Sequence, residues 1–312
     1  MALPFDQGLA IASDLGANYV WFAQLPDETP IAAMNDTQVD DMAARVDRHG
    51  LKLYQICAHH PFHNIRLDEL EPDKALDHPD FRRDFEALVR SMQIASRLDV
   101  GAVLVYGLSW PGEWAPRHRT WSKSPTWAMR WATQGGIISE SDLDGLVEVF
   151  VPVVEQAEHY DVDVVLGMRP FHFLNTATHF CRLAERLDSD RIRAMWSPAD
   201  GVLSGEREVT GTGFERMRPH LHGLHLKDVH VFDGPQGAYE WRPLGEGQVD
   251  YPVLVRRLIE HERDVFLGVA THFLPPGGSR VEAMQINCAR LLSLIEQAGN
   301  EADHKGADTD AP

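Results

Sequence analysis

The stretch 142–196, DLDGLVEVFVPVVEQAEHYDVDVVLGMRPFHFLNTATHFCRLAERLDSDRIRAMW, decides the fold. Residues 142–160 read as an amphipathic helix, and 162–168 as a short β-branched apolar run. Residues 176–187 and 192–196 then repeat the pair. This alternation is the signature of a parallel sheet covered by helices. Working outward, the same pattern recurs. Strands are expected at 19–23, 51–57, 102–106, 221–226 and 265–270, and helices at 5–15, 39–48, 81–98, 251–262 and 280–298. Gly16 and Gly50 punctuate the first two helices, as C-terminal glycines do.

A regular β/α repeat without a break in composition predicts one domain over 1–299, a closed (β/α)8 barrel with its chemistry at the C-terminal ends of the strands. The alternative, a doubly wound open sheet, loses ground because no glycine-rich phosphate loop follows a strand. Only four residues precede the first helix, so the first barrel strand is short or missing, or the chain starts further upstream. Two segments fall outside the repeat. The connection 107–140 carries Trp110, Trp114, Trp121, Trp127 and Trp131 beside several basic residues. It leaves the C-terminal end of a strand, and reads equally as a lid over a ligand or as a self-packed or subunit contact. The tail 300–312 is polar and expected to be disordered.

Composition narrows the partners. The chain has 312 residues, with 29 Lys and Arg against 47 Asp and Glu and a formal net charge of −18. Such a surface repels polyphosphate, so nucleic acid is not an expected partner. No apolar run reaches the roughly 20 residues of a membrane helix, and residues 1–8 lack the regions of a signal peptide, so the expected location is cytoplasmic. Cys57, Cys181 and Cys288 are an odd, widely spaced set that fits buried thiols in a reducing compartment. The tryptophan content is compatible with a homodimer.

Several motifs resemble the sugar phosphate isomerase/epimerase family of xylose isomerase-like TIM barrels. They are Gly167-Met168-Arg169-Pro170 with Asn175-Thr176, Trp196-Ser197-Pro198-Ala199-Asp200 with Gly205-Glu206, His225-Leu226-Lys227-Asp228, Pro243 to Tyr251 (PLGEGQVDY), and Val269-Ala270-Thr271-His272. Upstream, His59-His60-Pro61-Phe62 is similar to the loop after the family's third strand. The resemblance implies one divalent metal held by Glu, Asp, His and a second Glu at the ends of successive late strands. This chain departs at three of the four places: Arg169 (or Gly167 in an alternative register), Ser197 and Ala270 stand at the carboxylate positions, and only His225 matches.

A hard dication is held by anionic oxygens and repelled by a guanidinium. Three carboxylates and a dication sum to about −1, whereas Arg169, Ser197 and Ala270 sum to about +1, so the pocket floor is expected to favour an anion. The reading that follows is a metal-independent isomerase, epimerase or lyase, moving a proton next to the carbonyl of a small anionic or polyhydroxylated substrate, with no cofactor. His225 is the candidate proton carrier, Arg169 holds an oxyanion and Asp200 assists. His60, His172, Ser197, Lys227, His272, Trp110 and Trp114 are the candidate substrate-binding residues. Glu246 is expected to shape its loop, Asp228 to pin one, and His63, His230 and His261 to lie at the surface. Two alternatives stay open. One is a non-catalytic ligand-binding barrel or partner subunit. The other is a divalent-metal isomerase with ligands displaced onto His172, Asp200, His225 and His272.

Overall fold

The computed structural model describes residues 3–59, 62–110, 133–233, 238–260 and 264–309. The chain divides into two compact units. The first comprises Met1–Arg119, Ile137–Leu174 and His179–Met195; the second comprises Thr120–Gly136, Asn175–Thr178 and Trp196–Pro312.

In the first unit α1 (Phe5–Asp14) is followed by β1 (Tyr19–Val20), α2 (Asp36–Arg48) by β2 (Lys52–Leu53) and β3 (Ile56–Cys57), and α3 (Pro79–Arg97) by β4 (Ala102–Tyr106). After the tryptophan-rich connection come α4 (Glu140–Tyr160), β5 (Asp163–Gly167), α5 (Ala177–Leu187) and β6 (Ile192–Trp196), of which Ala177, Thr178 and Trp196 belong to the second unit. Strands β3 to β6 pair in parallel in chain order, with Ile56 opposite Val103, Val103 opposite Val164, and Val165 opposite Arg193. Strand β4, AVLVY, is buried along its whole length, as expected of a parallel strand covered on both faces. Local signals set the helix ends. Ser139 and Asp142 form a reciprocal capping box at the start of α4, and Asp161 ends it in the left-handed region at φ 55°. Gly16 at φ 79° does the same after α1.

All seven expected runs carry strand, with one difference. The run 51–57 is two short strands: Tyr54 still donates to Val20 O, whereas Ala58 donates to Leu104 O. The segment changes partner at Tyr54–Gln55, passing from β1 to β4, and a continuous apolar run cannot show that switch.

In the second unit β7 (Leu221–Leu226) and β10 (Phe266–Val269) run parallel, with His225 opposite Gly268. Its longer helices are α6 (Pro198–Leu203), α7 (Tyr251–Ile259) and α8 (Arg280–Thr309), with a single helical turn at Phe214–Met217. An antiparallel hairpin, β8 (Asp228–Val231) with β9 (Tyr239–Arg242), follows β7 directly. Sequence reasoning passed over it, although DVHV and YEWR both alternate at period two around Gly234-Pro235. Helix α8 continues to Thr309. Among the described residues no helix is long and apolar enough to cross a membrane. Cys57 and Cys181 are buried thiols and Cys288 is half-buried.

Candidate active site

The candidate side chains form a cluster in each unit. In the first, β4 ends at Tyr106 and β5 at Gly167. A Cβ at Gly167 would lie 2.5 Å from Tyr106 Cε1, so the ring fills the place a side chain there would take. Arg169, two residues on, lays its guanidinium 4.2 Å from the centroid of the same ring. Both registers for the family's first Glu therefore end in a non-ligating arrangement, one an aromatic ring and the other a cation. His172 is fully buried, edge-on to His63 at 5.0 Å and to Phe171 at 4.6 Å. His63 is half-buried: it packs edge-on to Phe171, and its backbone carbonyl accepts from Ser109 Oγ at 2.8 Å. Trp110 packs on Phe173 at 4.4 Å. His60, Trp114 and His261 lie outside the described residues.

The second cluster grows from two strand ends. Ser197, at the end of β6, caps α6 by accepting the N–H of Asp200. With Pro198 at the first helical position, this cap fixes where Asp200 points. Lys227 leaves β7, its carbonyl held by the hydroxyl of fully buried Tyr251 at 2.6 Å. Lys227 Nζ meets Asp200 Oδ2 at 2.8 Å, and the two side chains are only 9% and 4% exposed. His272, just past β10, places Nε2 3.5 Å from the same ammonium. Its imidazole stacks on Trp241 at 4.7 Å and 25°, and the ammonium sits 5.3 Å from the Trp241 centroid. Tyr239 shares the Trp241 face of β9 and meets it edge-on at 5.6 Å. Burial, followed by the Asp200 charge, pushes its phenol up to about 12. His225 lies on β7 at 8% exposure, two residues before Lys227.

The structure therefore brings together Asp200, Lys227 and His272 among the candidates, and adds Tyr239 and Trp241, which sequence reasoning missed with their hairpin. Asp228 pins a loop as expected, accepting from the backbone N–H of Val229, Gly245, Gly247 and Val249. Glu246 shapes the same loop through an ion pair with Arg290, which also donates to Leu244 O.

The metal that the resemblance implies can be tested against these donors. Arg169 is a cation, the Ser197 hydroxyl serves as a cap, Ala270 has no donor side chain, and the Asp200 carboxylate is bound to an ammonium. Among the described residues no three His, Cys, Asp or Glu side chains gather as a metal site would need. The donor set does not fit a divalent ion.

Solved structures with this arrangement of the chain are numerous. A xylose isomerase-like TIM barrel protein from Mycobacterium smegmatis in complex with magnesium superposes with a TM-score of 0.67 at 15% identity, covering 94% of this chain and 89% of that one. An L-ribulose 3-epimerase gives 0.66 at 16%, covering 98% and 93%. The IOLI protein with a bound zinc atom gives 0.61 at 16%, covering 96% and 92%. At these identities the likeness is one of fold. No protein of curated function matches the sequence. The model of the xylose isomerase-like TIM barrel matches residues 9–285, nearly the whole β/α repeat, and on that match the chain belongs to the xylose isomerase-like TIM barrel family.

Proposed function

We propose that the protein is an isomerase or epimerase that moves a proton on the carbon next to the carbonyl of a small polyhydroxylated or anionic substrate, and does so without a divalent cation. The observation that carries this reading is the ion pair of Lys227 with Asp200, beside His272, in a chain whose fold neighbours include a magnesium complex and a zinc-bound protein. A buried ammonium can stabilise a developing enolate oxygen electrostatically, the task a metal performs as a Lewis acid. His225, two residues before Lys227 on β7, is the proton carrier, since an imidazole titrates near neutral pH. Asp200 is a positioning residue: its carboxylate holds the ammonium and is not available as a base. Arg169 is assigned the binding of an anionic group. The same enolate could instead expel a β-hydroxyl, which would make the reaction a lyase.

Deuterium wash-in tests the reading. The protein, stripped and kept in chelator, is incubated in D2O with a panel of ketopentoses and ketohexoses that includes L-ribulose, D-psicose and D-fructose, and C–H exchange beside the carbonyl is followed by NMR. Exchange in chelator, lowered at least about a hundredfold by His225→Ala, is expected. No exchange on the whole panel, or exchange that chelator abolishes and Mn2+ restores, overturns it.

A further inference from the structure

The ammonium nitrogen of Lys227 lies between two atoms that are themselves ordinary metal ligands, Asp200 Oδ2 at 2.8 Å and His272 Nε2 at 3.5 Å. Metal–oxygen and metal–imidazole bonds are about 2.0–2.1 Å, so the two donors would close on an ion at that point by moving about 0.7 and 1.4 Å. Both donors are held from behind. Asp200 is set by the Ser197 cap and Pro198, and the His272 ring by its stack on Trp241. The carbonyl of Lys227 is fixed by Tyr251, which anchors the stem of the side chain. We propose that Lys227 is a tethered monovalent cation standing where Asp200 and His272 would otherwise hold a metal ion, so that removing its charge turns these two side chains into a divalent-cation site. The proposal rests on the metal-independent reading above, but concerns binding only.

The electrostatics favour this exchange. A carboxylate buried to 4% exposure is costly without a counter-charge, and either an ammonium or a dication can supply it. The ammonium is covalently attached and needs no free ion, so at ordinary metal concentrations it excludes a competitor. Once Lys227 is neutralised, the same carboxylate is left with an unmet charge beside an imidazole, and Zn2+ suits that mixed oxygen and nitrogen pair.

The test uses the full chain, freed of metal by chelator, titrated with Zn2+ alone by calorimetry at pH 7.5 and followed by thermal unfolding. Wild type is expected to show no stoichiometric site. Lys227→Gln is expected to bind one Zn2+ per chain at least about tenfold more tightly than wild type. Lys227→His, which adds a second imidazole and so a third donor, is expected to bind more tightly still and to gain thermal stability with Zn2+ even where the metal-free variant folds poorly. Asp200→Asn introduced into Lys227→His is expected to abolish the gain. One equivalent bound by wild type and weakened by Asp200→Asn overturns the proposal. So does failure of Zn2+ either to bind or to stabilise both Lys227 variants. Deuterium exchange enters neither arm, so loss of the proposed activity and loss of this inference are separate results.

Discussion

Glu206 carries a conflict that pH can expose. Its carboxylate accepts the N–H of Ala177, the first residue of α5, and is closely walled: a Cβ at Gly201 would lie 2.7 Å from Oε2 and one at Gly213 3.2 Å from Oε1. Burial pushes this group from the usual 4.5 up to about 7, against the lowering by the Ala177 N–H and the Arg216 charge. A carboxyl raised on folding binds its proton more tightly in the native state. Its contribution to stability is therefore complete below about pH 4.5 and is lost as pH rises through about 7. Glu206→Gln keeps an oxygen to accept from Ala177 and removes the charge. Urea denaturation at pH 5 and pH 8 should show wild type losing about 1–3 kcal/mol more than the variant over that interval. An identical pH dependence in the two proteins would assign the slope to other groups.

The loop after β9 shows how one element sets another. Asp228, the first residue of β8, gathers backbone N–H groups from Gly245, Gly247 and Val249, and Asn287 of α8 accepts from Leu244 N. Gly247 passes so close to this carboxylate that a Cβ would collide with Asp228 Oδ1 and come within 2.6 Å of Val229 O. The backbone on one side and a four-times-bonded carboxylate on the other leave nothing that can yield. Gly247→Ala should therefore destabilise the protein by at least about 2 kcal/mol in chemical denaturation, the scale of overpacking with loss of buried hydrogen bonds. A change below about 0.5 kcal/mol, the surface level, would mean that the loop shifts freely. Much at this scale was legible in sequence. Helical periodicity, caps and β-branched runs gave the alternation, and spacing from the strand ends singled out Asp200, His225, Lys227 and His272 as candidates. What stayed hidden is long-range. The strand run at 51–57 splits because it trades β1 for β4, and the Lys227–Asp200 pair exists only because Tyr251 and the Ser197 cap aim the two side chains at one point. The Trp241 stack was lost with an overlooked hairpin whose alternation was readable, and nothing in the spelling of Gly167 shows that Tyr106 fills the space above it.

At the scale of the whole molecule, charge is unevenly matched. Arginines bind carboxylates in surface pairs and small networks, such as Arg45 with Asp6, Arg97 with Asp36 and Asp40, and Arg186 with Glu140 and Asp144. With 47 acidic groups and only 29 basic ones, many carboxylates must face like charge across the surface. Salt acts on both terms. It weakens exposed pairs, each worth about 0–1 kcal/mol, and it screens the repulsion that a net charge of −18 imposes on the folded chain. The first term is a sum of small and partly cancelling gains, whereas the second grows with the square of the excess charge. At about 20 mM salt the screening length exceeds 20 Å and repulsion reaches across much of the surface, while at about 300 mM it falls below 10 Å. The melting temperature should therefore rise by about 2–5 °C between these concentrations of NaCl, a shift of order 1 kcal/mol for a chain of this size. Choosing chloride keeps the measurement to screening, since sulfate would also strengthen apolar burial. A melting temperature that falls with NaCl would show instead that the arginine networks outweigh the acidic excess, and would make those pairs the principal electrostatic support of the fold.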